Sequence, residues 1–311
     1  MQAVIKNKKP LMKRVIRDFK MNKYAYLLVL PAIAYYIIFH YVPLYGAQIA
    51  FRDFNFRDGF AGSPWVGLMH FRDFFGSFYT WRIIRNTLML SIGMIVFGFP
   101  APIILALLIN EVRNNVFKRF TQSITYLPNF ISLIVICGFI LDFTARDGVI
   151  NQIIVMLGGE AISFMREPGW FRPVYIISEI WQHTGWASII YLAALAGIDQ
   201  ELYEACRVDG GGRFRQLITV TLPGIAPTII ILLIIRMGTV MHVGLEKVLL
   251  LYNPIIYETA DIIATFVYRR GLIELNFSYG AAVGLFNSAV NFALLVTVNQ
   301  ICRRYSDSSL F

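Results

Sequence analysis

Four polar side chains lie inside long apolar runs, where polarity is costly: Glu179, Gln182, His183 and Arg236. Glu179 and Gln182 are spaced i, i+3 and Glu179 and His183 i, i+4, so a helix brings all three to one face. A carboxylate beside an imidazole can relay a proton or activate a nucleophile. No nucleophile and no metal-ligand set accompanies this pair, so catalysis is the least favoured use of it. Two readings stay open, a satisfied hydrogen-bond cluster between helices and the polar wall of a path across a membrane. Arg236 costs about 2.5–3.5 kcal/mol at mid-membrane if unpaired, so it either pairs with an acid, Glu179 being the candidate, or faces a hydrated cavity. Asn287 and Asn291 repeat the i, i+4 spacing; helix packing is their simpler role, with Asn287 also a candidate for the path. Asn129, Pro100 and Pro102 read as a helix kink and its repair. The triple glycine Gly210-Gly211-Gly212 is followed by Arg213-Phe214, so no phosphate-binding G-x-x-x-x-G-K-[ST] loop is present. Energised work by this chain must draw on an ion gradient or on another subunit.

The elements that must hold these residues follow from composition. Apolar residues make up 57% of the 311 and charged residues 15%, against about 45–50% and about 25% in soluble chains. With a mean hydropathy of +0.60, the chain has too little charge to cover a water-facing surface, which excludes disorder and a soluble enzyme. It belongs in a bilayer. Six apolar runs are long enough to span one as helices: 26–50, 86–110, 122–143, 173–198, 223–243 and 278–302. Residues 52–85, 144–172 and 244–277 connect them on one side. Residues 1–25 hold eight Lys and Arg against the single acid Asp18, and Arg303-Arg304 open the tail 303–311. The net charge of +9 thus reads as loop charge that orients spans, with no nucleic acid implied, and it puts both termini and the 199–222 segment in the cytoplasm. Cys137, Cys206 and Cys302 have no metal spacing, and no structural disulfide is expected.

Residues 199–223 carry the most specific pattern. Asp199 is a candidate N-cap for a helix with Leu202, Ala205 and Cys206 on one face. The glycines permit a sharp reversal. Phe214, Leu217 and Ile218 resume the apolar spacing, and Pro223 reads as the first turn of the next span. The product is an amphipathic hairpin with Glu201, Glu204, Arg207, Arg213 and Arg215 open to a partner.

This segment resembles the E-A-A-x3-G-x9-I-x-L-P signature of permease subunits in binding-protein-dependent ABC importers. Glu204, Ala205, Gly210, Leu222 and Pro223 match, while Cys206 replaces the second alanine and Val220 the isoleucine. Trp181-Gln182-His183-Thr184-Gly185-Trp186, Tyr191-Leu192-Ala193-Ala194-Leu195 and Gly67-Leu68-Met69-His70-Phe71 look like the carbohydrate-uptake branch. The run 236–254 with 267–272 is similar to its LplB-type polysaccharide subgroup. The resemblance implies an all-α fold of the type I importer kind, six spans over 26–302 with a coupling hairpin between the fourth and fifth. It implies that Glu204, Ala205, Asp209, Gly210, Gly211, Phe214, Leu217 and Pro223 meet a cytoplasmic ATPase subunit. It further implies a second, homologous but different permease, two copies of the ATPase holding ATP and Mg, and an extracytoplasmic solute-binding protein. The chain itself would be no enzyme and hold no cofactor or metal. Its place would be a bacterial cytoplasmic membrane, and its cargo an oligosaccharide or polysaccharide fragment. Glu179, Gln182, His183, Trp186, Arg236 and Asn287 would then line the path, with Trp181, Trp186 and Tyr191 offering faces to pyranose rings. An ion-gradient-driven transporter of small polar solutes is the alternative.

Overall fold

The computed structural model describes residues 21–305; the basic N-terminal run before residue 21 and the tail beyond 305 lie outside them. The described residues are helical throughout, apart from loops and a single antiparallel bridge between Arg52 and Trp65. Among the described residues four helices are long and apolar enough to cross a membrane: α1 (Lys23–Phe51), α3 (Thr80–Glu111), α9 (Arg213–Met237) and α12 (Phe277–Tyr305). The short α2 (Met69–Gly76) lies between the first two. α1 is apolar all round and buries none of its first 22 residues, as a helix facing lipid does.

The third run breaks the expectation of one straight span over 122–143. It forms α4 (Asn115–Phe130) and α5 (Leu133–Phe143), bent by 99°. Pro128 has no N–H to continue the helix. Ile131 and Ser132 are extended, and the Ser132 hydroxyl accepts from Val135 N to cap the new helix. α6 (Val149–Met156) then stands where a plain loop was expected. α7 (Pro168–Ala196) has 29 residues, enough for about 43 Å. Its length suffices for a span, but the polar residues from Glu179 to Thr184 make it less apolar than the other long helices.

The fifth run also departs from expectation. Its helix begins at Arg213 and ends at Met237, so Pro223 lies inside it and not at its start. The turn from Leu217 to Thr221 widens to i→i+5 hydrogen bonding just before that proline. The same widening precedes Pro43, at Ile37–Tyr41, and Pro100, at Met94–Gly98. A proline ring clashes with the carbonyl one turn back, and a wider turn makes room for it without breaking the rod.

The segment between α9 and α12 is no mere connection. Its helices α10 (Leu245–Leu251) and α11 (Ile263–Val267) fold back into the bundle. Val248, Leu251, Ile256, Ala260 and Ile262 form a buried core with Leu90, Cys137, Phe171 and Tyr175. α11 joins a second core with Phe74, Ile83 and Val283. Residues that read as a mixed loop therefore tie α3, α5, α7 and α12 together. Cys137, Cys206 and Cys302 are free.

Candidate functional site

α7 places Glu179, Gln182 and His183 near its middle, on the face turned toward α4 and α10. What gathers them is Lys247, a residue in the stretch read as loop. Packing of Val248 and Leu251 against Phe171 and Tyr175 fixes α10 so that Lys247 faces α7. Lys247 is only 2% exposed. Its Nζ donates to Glu179 Oε1 at 2.8 Å and to Gln182 Oε1 at 3.4 Å, and lies over the Tyr175 ring at 5.5 Å. His183 extends the network: Nδ1 is hydrogen-bonded to Asn129 Oδ1 at 3.1 Å, and Nε2 stands 3.9 Å from Glu179 Oε2. Asn129 can come this near because α7 carries Gly185 beside it. A Cβ there would collide with the Thr125 carbonyl of α4. Asn129 thus serves the cluster as well as the bend.

A cavity of about 260 Å³ opens between α3, α7 and α9. Glu179, His183, Arg236 and Tyr191 line it beside apolar Phe99, Pro102 and Leu232. Arg236 lines the cavity, one of the two places expected of it, and does not pair with Glu179; Lys247 holds that carboxylate. Because α9 ends at Met237, Arg236 occupies its last turn, where exposed carbonyls and the open cavity favour a cation. Among the described residues it forms no ion pair within 4 Å. The other expected path residues divide. Gln182 is buried behind Glu179 on Lys247. Trp186 is half exposed outside the cavity, edge-on to Phe130, and Trp181 lines a separate apolar groove. Asn287 is buried in the packing of α12 with its Oδ1 unpartnered, while Asn291 accepts from Met241 N at 2.9 Å.

The hairpin forms the opposite end of the same helices. α7 runs into α8 (Gln200–Val208), and Asp199 caps α8 by accepting from Glu201 N at 3.0 Å. Gly210 has φ +78°, the reversal expected of it, and a residue with a side chain would be strained there. The second limb is the start of α9 and not a separate helix. Two side-chain contacts brace the limbs: Tyr203 Oη lies 3.1 Å from Thr221 Oγ1, and Cys206 Sγ lies 3.7 Å from Thr219 Oγ1. Glu204, Ala205 and Asp209 are exposed, Gly211 is packed beneath Cys206, Leu217 is half-buried, and Pro223 is exposed. Phe214 is 75% exposed and Val208 88%. So large an apolar exposure beside charged groups marks a surface built for contact.

Sequence reasoning missed Lys247 and Tyr203. Lys247 sits in Leu245–Leu251, whose four trailing apolar residues are too few for a span but enough to signal burial. Tyr203 had no signal beyond its place one turn from the hairpin's start.

Comparison with known proteins accounts for this arrangement. Residues 98–304 match the family described as binding-protein-dependent transport system inner membrane component. Protein LplB of Bacillus subtilis (strain 168) is 46% identical over 293 residues, covering 94% of this chain and 92% of the relative. The polygalacturonan/rhamnogalacturonan transport system permease protein YteP of the same organism is 42% identical over 306 residues, covering 98% and 95%. A chain in the crystal structure of a bacterial alginate ABC transporter, in complex with an alginate pentasaccharide-bound periplasmic protein, superposes with a TM-score of 0.88 at 40% identity, covering 96% and 100%. The membership sets aside the gradient-driven alternative. With more than half its length matched and near-complete overlap with these relatives, the chain belongs to the binding-protein-dependent transport system inner membrane components, the multi-pass permease subunits of ABC importers.

Proposed function

We propose that this permease carries oligosaccharides or polysaccharide fragments inward, handed over by an extracytoplasmic solute-binding protein and driven by two copies of a cytoplasmic ATPase that hold the ATP and Mg. A second, homologous permease completes the path. One observation carries this reading: the cavity and the hairpin share the same two helices. Glu179 and His183 lie on α7 and Arg236 on α9, and these helices run directly into the two limbs of the hairpin. A push on Glu204, Ala205, Asp209, Gly210, Gly211, Phe214, Leu217 or Pro223 therefore moves both walls of the cavity. The cavity offers a carboxylate, an imidazole, a guanidinium and the Tyr191 ring, which suit hydroxyl-rich solutes. The relatives' named cargoes, pectic polymers and alginate, are of that chemistry. α1, α3, the bent α4–α5 pair, α7, α9 and α12 supply six crossings, with both termini and the hairpin cytoplasmic.

Proteoliposomes holding the whole complex test this. Oligosaccharide uptake should require ATP and the binding protein, ignore a proton uncoupler, and fall several-fold in His183→Ala. Cysteines placed at Gly62 and at the exposed Gly212 should label with an impermeant maleimide from opposite faces of sealed cells. Uptake that follows a proton gradient without ATP would overturn the mechanism, and same-face labelling would overturn the topology.

A further inference from the structure

The end of the bundle away from the hairpin holds a second cavity, of about 200 Å³, that the path through Glu179 does not use. Tyr79 just before α3, Arg82 of α3, Tyr257 and Phe266, and Arg269 and Arg270 line it, with Glu274 beside them. Behind its arginines lies Asp261, which is fully buried. Asp261 accepts from Arg269 Nη2 at 2.7 Å and from Thr265 Oγ1 at 2.8 Å, while Arg82 Nη2 stays 3.9 Å away. Arg270 pairs with Glu274 at 2.6 Å. Three guanidiniums thus face two carboxylates, and Arg82 is the one held loosely. Arg82 Nε and Arg269 Nη1 are both buried without a hydrogen-bond partner in the protein. Burial of Arg269 works against its charge, but the hydrogen bond and charge of Asp261 outweigh it and hold its pKa above the ordinary arginine value.

The rings complete the chemistry. Arg82 lies over Tyr79 and Arg269 over Tyr257, each at 5.0 Å, and Tyr252 stacks on Tyr257 at 4.9 Å. Guanidinium forks with spare N–H groups match a planar carboxylate, and the tyrosine faces match the C–H face of a sugar ring. A volume below the roughly 300–1,000 Å³ of pockets for drug-sized ligands admits one ring and not a chain of them. A neutral sugar would leave the excess cation without a counter-charge.

The pocket is also in the right place. Arg172, in the second turn of α7, donates to Asn86 Oδ1 at 2.8 Å, and Asn86 Nδ2 donates to the carbonyls of Glu258 and Asp261. The far end of α7 feeds the hairpin, so the run from Arg172 to Ala196 puts about 36 Å of helix between the two. With the hairpin in the cytoplasm, the pocket opens on the side where solute arrives.

We propose that this pocket receives a single uronate unit of an acidic oligosaccharide at the outer mouth, before the chain of sugars enters the cavity at Glu179. The assignment rests on the oligosaccharide-import reading and adds the charge of the cargo. The test is equilibrium binding of trigalacturonate to the assembled complex in nanodiscs, without binding protein. Arg82→Gln and the more exposed Arg270→Gln should each weaken binding about tenfold, and Arg82→Lys should weaken it less than Arg82→Gln. Fully methyl-esterified trigalacturonate should bind the wild type no better than the acid binds Arg82→Gln. Equal binding of acid and ester, or wild-type affinity in both glutamine variants, would overturn the assignment. So would lost docking of the binding protein with uronate affinity intact, which would give the arginines to a protein contact. Import of neutral oligosaccharides with no uronate binding would overturn this inference alone. Absence of import for any glycan would overturn the function on which it rests.

Discussion

The Glu179 cluster and the hairpin sit on the same helices and satisfy their polar groups in opposite ways. Around Glu179, charge is buried and answered from within: Lys247 is closed off, Glu179 and Gln182 meet it, and Asn129 meets His183. In the hairpin, Glu204, Arg213 and Arg215 are exposed beside Phe214 and Val208, and Glu204 has no ion-pair partner among the described residues. A buried pair fixes how α7 and α10 sit together whatever else binds. An open surface gains its partners only on assembly. The difference separates what the chain must do alone from what it does in a complex.

Breaking the buried pair should have the largest effect. Lys247→Met leaves the Glu179 carboxylate without the buried ammonium that holds it, and removal of one partner of a buried pair costs about 3–5 kcal/mol. The double variant Glu179→Leu with Lys247→Met removes both charges and should be more stable than Lys247→Met alone. Thermal unfolding of the wild type, Lys247→Met, Glu179→Leu and the double variant in one detergent checks this. If the double variant melts below both single variants, the pair is not the coupled unit described here.

The hairpin should respond in assembly and not in folding. Gly210→Val forces φ +78° on a β-branched residue, and Glu204→Arg reverses an exposed charge. Both variants should insert and retain the partner permease, yet recover at least tenfold less ATPase and lose hydrolysis stimulated by the binding protein. Unchanged recovery of the ATPase and unchanged turnover in both would show that the hairpin is not the coupling element.

The two regions were also unequally legible in the sequence. The i, i+4 spacing of Glu179 and His183 exposed the face of α7, and the reversal at Gly210 followed from glycine chemistry. Lys247 was hidden because hydropathy detects spans, and Leu245–Leu251 is shorter than one. Burial there comes from long-range packing against Phe171 and Tyr175, which no local pattern carries. Without Lys247, Arg236 became the natural partner for Glu179. The end of the fifth helix was misplaced for a related reason. Residues Gly238 to Val243 are still fairly apolar, but the chain turns at Gly238 to bring α10 back into the bundle. The 99° bend was more nearly readable, since Pro128 and Ser132 are a helix stop and a helix start four residues apart.

The smallest expected effect lies where the two regions meet. Tyr203 of α8 touches Thr221 of α9 through one hydroxyl contact at 3.1 Å. That contact is the closest side-chain link between the two limbs among the described residues. Tyr203→Phe keeps the ring packed against the core that holds Tyr191, Leu195 and Ile225 and removes only the hydroxyl. A neutral hydrogen bond of this kind contributes about 0.5–1.5 kcal/mol, so the melting temperature should fall only slightly. If the limbs must move as one body to transmit force, the same change should lower transport per ATP hydrolysed while ATPase recovery stays at the wild-type level. The pairing of those readouts separates it from Gly210→Val, which acts on recovery. Thr221→Val removes the other side of the contact together with its bond to the Gln216 carbonyl, so it should cost at least as much as Tyr203→Phe, and the double variant should be no worse than Thr221→Val alone. Additive losses in the double variant would show that the two hydroxyls serve different partners, and the limbs would then be joined by packing alone.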